Sequence, residues 1–200
     1  MTKIKLCGMM APEDVTAACE LGADMVGFIL TDGFRRSVSH EAFTRMRSIL
    51  DGHTAKAVGV FVDEPIEAVL RYADMLDMIQ LHGSEDDNYI KAVGAASGKP
   101  VIKAFKVKST EDIADARKSA ADFVLLDSGT GTGMTFDHTL IEGIDRTFFL
   151  AGGLTADNVA GAIEKIRPYA VDVSSSLETG GHKDRSKMTE FVRAVRGKER

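Results

Sequence analysis

The stretch "KIKLCG", residues 3–8, shows in miniature the pattern that decides the fold of this chain. It is short and largely apolar, and it ends at a cysteine followed by a glycine. A run of this length that ends at a turn-forming residue is typical of a buried strand. Its last side chain, Cys7, raises the question of why a reactive group stands beside a residue that has no side chain.

Similar apolar runs recur along the chain. Most are too evenly apolar for one-sided antiparallel strands, and they indicate parallel strands that are buried on both faces. The predicted strands are "IKLCG" (4–8), "MVGFIL" (25–30), "AVGVFV" (57–62), "MIQLHG" (78–83), "VIKAF" (101–105), "FVLLD" (123–127), "FFLAGG" (148–153) and "AVDVSS" (170–175).

Helical patterns separate these runs. "PEDVTAACELG" has one apolar face, with Pro12 at its start and Gly22 at its end, as helices commonly have. "SHEAFTRMRSILDG" opens with Ser39, which is a preferred N-cap residue. Further segments, including "IEAVLRYADML", follow the same plan, and the helix around "DHTLIEGI" is predicted to be short.

Eight β–α units in 200 residues imply right-handed crossovers and a parallel sheet. Eight such units favour a closed barrel over an open sheet. The turn "CGMMAPED" lacks the GxGxxG pattern of a dinucleotide site, which argues against a doubly wound fold. We therefore predict an α/β protein, a (β/α)₈ TIM barrel, formed as one domain by residues 1–200.

Composition excludes several classes of function. A net charge of -5 argues against nucleic-acid binding through a broad basic field. Two cysteines make no disulfide framework, and the histidines show no metal-ligand spacing, so we expect no metal. No apolar run of about 18 residues is present, and the first run is too short for a signal peptide. We expect a cytoplasmic protein with reduced thiols and no membrane partner.

Barrel enzymes place their chemistry at the carboxyl ends of the strands. Cys7 is a candidate acid or base, because a thiol near a cation loses its proton readily, although a cysteine there also serves as a small apolar residue. Asp127 ends "FVLLD", where a carboxylate must meet water, a ligand or a donor, so it is either functional or a loop cap. His82 either orients a substrate or is structural.

Three glycine-rich loops follow the last strands. "AGGLTADN" (151–158) offers Gly152 and Gly153, and "DVSSSLETGGHKD" (172–184) offers Ser174 and Ser175. Loops at these positions commonly bind phosphate through exposed N–H groups, although glycines in such loops also serve tight turns. The third loop, "GTGTGMTF" (129–136), lacks the P-loop ending and suits a mobile lid or a substrate-binding loop.

The motifs "KLCGMMAPED", "RRSVS", "VGVFVDE", "IQLHG", "LLDSGTGTGMTFD", "LAGGLTADNV" and "DVSSSLETGGHKD" together resemble, in order and spacing, the phosphoribosylanthranilate isomerase family of tryptophan biosynthesis. The resemblance implies a TIM barrel without a cofactor. It also implies an Amadori rearrangement of N-(5-phosphoribosyl)anthranilate to 1-(2-carboxyphenylamino)-1-deoxy-D-ribulose 5-phosphate.

The resemblance further implies roles for single residues. Cys7 would be the general base and Asp127 the general acid, while Arg36 would meet the anthranilate carboxylate. Residues Gly152, Gly153, Ser174 and Ser175 would bind phosphate, and His82 would contact the substrate. A thiolate near neutral pH needs a positive neighbour such as Lys5, or the substrate itself. Gly8 would let the backbone approach the sugar.

The chain also departs from the family pattern. "SSSLE" stands where the family has "SSGVE", so Ser176 replaces a glycine beside the expected phosphate. "FRR" replaces "SPR", which introduces Phe34 and Arg35, and His138 replaces a common tryptophan. These changes keep open a paralogue that acts on, or only binds, another phosphosugar. We expect a small-molecule phosphosugar as ligand, no nucleic-acid partner, and a monomer or homodimer.

Overall fold

Parallel strands close into a barrel in chain order, and the last strand pairs with the first. The computed structural model describes residues 1–127, 141 and 144–197. The eight barrel strands are β1 (Lys3–Cys7), β2 (Met25–Ile29), β3 (Lys56–Phe61), β4 (Met78–Leu81), β5 (Val101–Lys106), β6 (Phe123–Asp127), β7 (Phe148–Ala151) and β8 (Ala170–Val173). The predicted TIM-barrel fold is confirmed.

Helices follow most of the strands and pack against the outside of the barrel. Within the described residues they are α1 (Pro12–Glu20), α2 (His40–Ile49), α3 (Ile66–Leu70), α4 (Asp87–Ser97), α5 (Thr110–Lys118), α6 (Val159–Ile166) and α7 (Arg185–Gly197). None of them is long and apolar enough to cross a bilayer. The helix predicted around "DHTLIEGI" lies almost entirely outside the described residues.

Capping side chains explain several helix starts. Ser39 accepts a hydrogen bond from the N–H of Ala42 at α2, and Asp86 accepts one from Tyr89 at α4. These bonds satisfy N–H groups that have no partner inside the helix. The segment "IEAVLRYADML", predicted as one helix, instead divides into α3 and a separate 3₁₀ turn over Ala73–Met75.

The inside of the barrel is filled by alternate strand side chains. The inner cluster contains Met25, Val58, Met78, Ile102, Ala104, Leu125, Phe149, Ala151 and Ala170, all of them buried. The strand side chains between these inward-facing ones face the helices and belong to the larger outer cluster. Because successive strand residues point to opposite faces, β2 to β8 each contribute to both clusters.

A β-hairpin follows β8 and was not predicted from the sequence. Its strands are β9 (Glu178–Thr179) and β10 (His182–Lys183), and Glu178 pairs with Lys183. The two turn residues, Gly180 and Gly181, have φ angles of 59° and 87°. Positive φ at both central residues is the signature of a type I′ turn, the turn that best matches the twist of paired strands.

Candidate active site

A cleft of about 730 Å³ opens at the carboxyl ends of the barrel strands. The structure brings all the sequence-predicted site residues to its wall: Cys7, Arg36, His82, Asp127, Gly152, Gly153, Ser174 and Ser175. The loop "GTGTGMTF" and His138 lie outside the described residues.

Cys7 faces the cleft because of the strand alternation in β1. Lys5, two residues earlier, points to the same inner side, and its Nζ lies 2.9 Å from Asp172 Oδ1 on the neighbouring β8. On the other side Cys7 is in register with Gly27 of β2, and a Cβ at Gly27 would lie 2.6 Å from the Cys7 sulfur. Gly27 therefore makes room for the thiol.

Burial raises the pKa of the Cys7 thiol, because a thiolate loses hydration inside the barrel. The positive charges of Lys5 and Lys183 act in the opposite direction, while Asp172 adds to the increase. Lys5 is present beside Cys7 as expected, but Asp172 offsets its charge. Lys5 lowers the pKa of Cys7, as expected of a positive neighbour, but it does not outweigh burial, and the substrate remains as a second source of positive charge.

Asp127 faces a histidine across the cleft. His82 Nε2 lies 3.7 Å from Asp127 Oδ2, and Gln80 Nε2 lies 3.0 Å from His82 Nδ1. With the amide of Gln80 as donor, His82 Nδ1 is the acceptor, and the ring N–H is on Nε2, which faces Asp127. Among the described residues, the buried Oε1 of Gln80 has no hydrogen-bond partner.

Arg36 enters the cleft from the loop that joins β2 to α2. Its Nε donates to Glu178 Oε1, and its side chain passes directly beside Gly8. A Cβ at Gly8 would lie 2.6 Å from Arg36 Cδ and 2.9 Å from Ser174 Oγ. Gly8 thus clears space for these two side chains, and its role in the approach of the backbone to the sugar stays a prediction.

The loops after β7 and β8 form the opposite wall of the cleft. Gly152 and Gly153 have φ angles of 89° and 63°, a conformation that favours glycine. Ser174 Oγ donates to the Cys7 carbonyl at 2.9 Å, which joins the two strand ends. Ser176 Oγ donates to the Leu154 carbonyl at 2.6 Å, so the hydroxyl that replaces the family glycine has a partner in the neighbouring loop.

The two ends of the cleft differ in chemistry. The end near β2 and β3 is apolar, with Ile29, Phe34, Val60 and Val62 on its wall. The end near β7 and β8 is built from glycine and serine residues. Such a cleft suits a ligand that has an aromatic or aliphatic group at one end and an anion at the other.

Several residues that shape this site were not predicted from the sequence. Asp172 had a usable signal, because it and Lys5 are opposite charges in two neighbouring strands predicted to be buried. Glu178 and Lys183 gave no comparable signal, since both stand in a polar segment that resembles an ordinary loop. Gln80 also lines the cleft, two residues before His82 on the same side of β4.

The closed barrel and the cleft at the carboxyl ends of its strands define a class of protein, the TIM-barrel enzymes. A model of the family described as N-(5'phosphoribosyl)anthranilate (PRA) isomerase matches residues 4–194. The N-(5'-phosphoribosyl)anthranilate isomerase of Endomicrobium trichonymphae is 39% identical over 203 residues, covering 98% of this chain and 99% of that protein.

Solved structures of the same family are similar to this chain over nearly its whole length. Phosphoribosyl anthranilate isomerase from Thermotoga maritima superposes with a TM-score of 0.88 at 35% identity, covering 98% of this chain and 100% of that one. An isomerase of the same name, solved with reduced 1-(o-carboxyphenylamino)-1-deoxyribulose 5-phosphate, superposes with a TM-score of 0.86 at 35% identity and the same coverage. This chain therefore belongs to the N-(5'-phosphoribosyl)anthranilate isomerase family, and it is an isomerase of tryptophan biosynthesis. The resemblance seen in the sequence is confirmed.

Proposed function

We propose that Cys7 and Asp127 carry out the Amadori rearrangement of N-(5-phosphoribosyl)anthranilate as general base and general acid. The observation that carries the proposal is their placement, since a thiol from β1 and a carboxyl from β6 share one cleft. An aldose–ketose shift needs one group that gives a proton and another that takes one, both within reach of the same sugar.

The acid acts first. Protonated Asp127 donates its proton to the ribose ring oxygen, the bond from that oxygen to C1′ breaks, and the nitrogen lone pair forms an iminium. The carboxylate left behind faces the ring of His82, whose Nε2 is 3.7 Å away. An N–H at that position stabilises the new negative charge.

The base acts on the iminium. The Cys7 thiolate removes the proton from C2′, and the electron pair of the C–H bond neutralises the iminium to give an enolamine. Loss of the 2′-hydroxyl proton and addition of a proton at C1′ then give the ketone. Burial raises the pKa of Cys7 in the free protein, but a cationic iminium close to the sulfur favours the thiolate. The raised pKa therefore fits a base that is activated after ring opening.

The two ends of the cleft orient the substrate. The anthranilate ring lies against Ile29 and Val60 at the apolar end, with its carboxylate on Arg36. The phosphate lies on the backbone of the loops after β7 and β8, which contain Gly152, Gly153, Ser174 and Ser175. We further propose that the protein works in the cytoplasm without a cofactor, as a monomer or a homodimer.

Two substitutions test these roles. Cys7→Ala and Asp127→Asn are each expected to lower kcat by about 10²–10⁴-fold, the usual contribution of a positioned acid or base. Urea unfolding should show that both variants stay folded, and neither should support growth of a tryptophan auxotroph that lacks this step. Cys19→Ala, which removes the other thiol, is the matched control. Turnover by Cys7→Ala within a factor of ten of the unmodified protein would remove Cys7 from the mechanism.

A further inference from the structure

Glu178 is a buried carboxylate surrounded by cations. Its side chain is 6% exposed, and it contacts Arg36 Nε through Oε1 and an Arg35 terminal nitrogen through Oε2. Lys183 Nζ lies 3.1 Å from Oε1. Burial alone would raise the pKa of this carboxyl, but hydrogen bonds from Arg36, Arg35 and Lys183 lower it to about 2. Glu178 is thus ionised throughout the physiological pH range.

The contact with Glu178 uses only one edge of the Arg36 guanidinium. Nε is bonded to the carboxylate, and within the described part of the chain the two terminal nitrogens have no hydrogen-bond partner. Arg36 lines the cleft, and its side chain is 19% exposed. A guanidinium binds a carboxylate best through two parallel N–H groups in one plane. Fixing Nε leaves such a pair of donors free on the cleft side.

We propose that Glu178 is the positioning residue for Arg36, and that it sets the plane in which this arginine receives an aryl carboxylate. The proposal rests on the function proposed above for Arg36, but Glu178 itself is not among the residues that line the cleft. An unrestrained arginine loses much side-chain freedom on binding, and holding it in the bound orientation beforehand removes that cost.

The hairpin explains why the carboxylate stays in place. Glu178 and Lys183 are a registered pair across β9 and β10. Lys183 Nζ also donates to the Ser174 carbonyl at 2.9 Å, and Ser174 Oγ donates to the Cys7 carbonyl. One chain of hydrogen bonds therefore runs from Arg36 through Glu178 to the end of β1. This connection keeps the carboxylate-binding group in a constant position relative to the proposed base.

Glu178→Gln tests the proposal, because it keeps the size of the side chain and removes its charge. We expect KM for N-(5-phosphoribosyl)anthranilate to rise about tenfold, with kcat changed less than about threefold, as when binding is lost equally in ground and transition states. Affinity for reduced 1-(o-carboxyphenylamino)-1-deoxyribulose 5-phosphate should fall by a similar factor. Affinity for inorganic phosphate should stay the same, because the proposed phosphate contacts are backbone N–H groups of the loops after β7 and β8 and do not include Arg36.

Asp24→Asn is the matched control. Asp24 also bridges two cations, Lys3 and Arg196, each at 2.8 Å, but it lies at the amino end of β2, far from the cleft. The Asp24→Asn substitution should lower the free energy of unfolding without changing KM. If Glu178→Gln does not fold, Glu178→Asp carries the same test, since it keeps the charge but withdraws it from Nε by one methylene.

The same substitution in an Arg36→Met variant distinguishes a positioning role of Glu178 from a general structural role. In Arg36→Met, adding Glu178→Gln should change the affinity for the reduced analogue by less than about twofold, because the group that Glu178 acts through is gone. An equal loss of affinity in both backgrounds, or no loss in the unmodified one, overturns the proposal. The binding measurements do not depend on turnover. Absence of turnover with a normal response to Glu178→Gln would count against the proposed catalysis alone.

Discussion

At the scale of single residues, the charge around Cys7 is the most informative feature of the site. Lys5 is fully buried and paired with Asp172, whose side chain is 9% exposed. Burial opposes the charge on Lys5, but Asp172 and Cys7 together raise its pKa, so Lys5 stays protonated. Lys5 and Asp172 are formally neutral as a pair. Ionisation of Cys7 would leave the three residues with a net negative charge inside the barrel, and the thiol is therefore the favoured form.

The preference of Cys7 for the thiol form should appear in the pH dependence of its reactivity. In a Cys19→Ser background, we expect the rate of Cys7 alkylation by iodoacetamide to rise about tenfold per pH unit between about pH 7 and 9. The thiolate is the reactive species, and its fraction grows in proportion to hydroxide well below the pKa. Free cysteine, with a pKa of about 8.5, is the reference and should level off earlier. A plateau for Cys7 below that of free cysteine would show a lowered pKa and contradict the structure.

At the scale of elements, the type I′ turn of the hairpin is the feature on which the Glu178–Lys183 pair depends. Gly180 has a φ of 59°, and a Cβ there would meet no atom within 4 Å. Any effect of a substitution is therefore conformational. Gly180→Ala should lower the free energy of unfolding by about 1–2 kcal/mol, while Gly180→Asn should cost less, because asparagine tolerates this conformation. Urea unfolding measures both, and an alanine variant as stable as the asparagine variant would exclude a strained turn.

The strands and the hairpin differ in how well the sequence predicts them. Every barrel strand begins and ends within two residues of its predicted bounds, because strands buried on both faces are nearly continuous apolar runs. The hairpin escaped prediction, since each of its strands has two polar residues and no apolar alternation. The Arg36–Glu178 contact joins residues 142 positions apart, and no local pattern encodes such a pair. The assignment of residues 1–200 to one domain stays a prediction.

At the scale of the whole molecule, the barrel separates its stability from its chemistry along its axis. The amino end of the interior is aromatic: Phe149 lies 5.8 Å from Phe123 and 5.7 Å from Tyr169, measured between ring centroids. The carboxyl end carries Cys7 and Asp127 on the open cleft. Burial of apolar surface stabilises the fold at the amino end, whereas Cys7 and Asp127 at the other end bury little apolar surface.

This separation predicts opposite effects at the two ends of the barrel. Phe149 is fully buried, and Phe149→Leu removes its ring contacts and leaves a cavity. We expect the free energy of unfolding to fall by about 1–3 kcal/mol, while kcat/KM below the unfolding transition stays within about twofold. Cys7→Ala should do the reverse and lower kcat by about 10²–10⁴-fold with little loss of stability. Urea unfolding and steady-state kinetics on the same two preparations measure both quantities. If Phe149→Leu lowers kcat/KM about as much as it lowers stability, the interior packing also holds the catalytic groups, and the two ends of the barrel do not act independently.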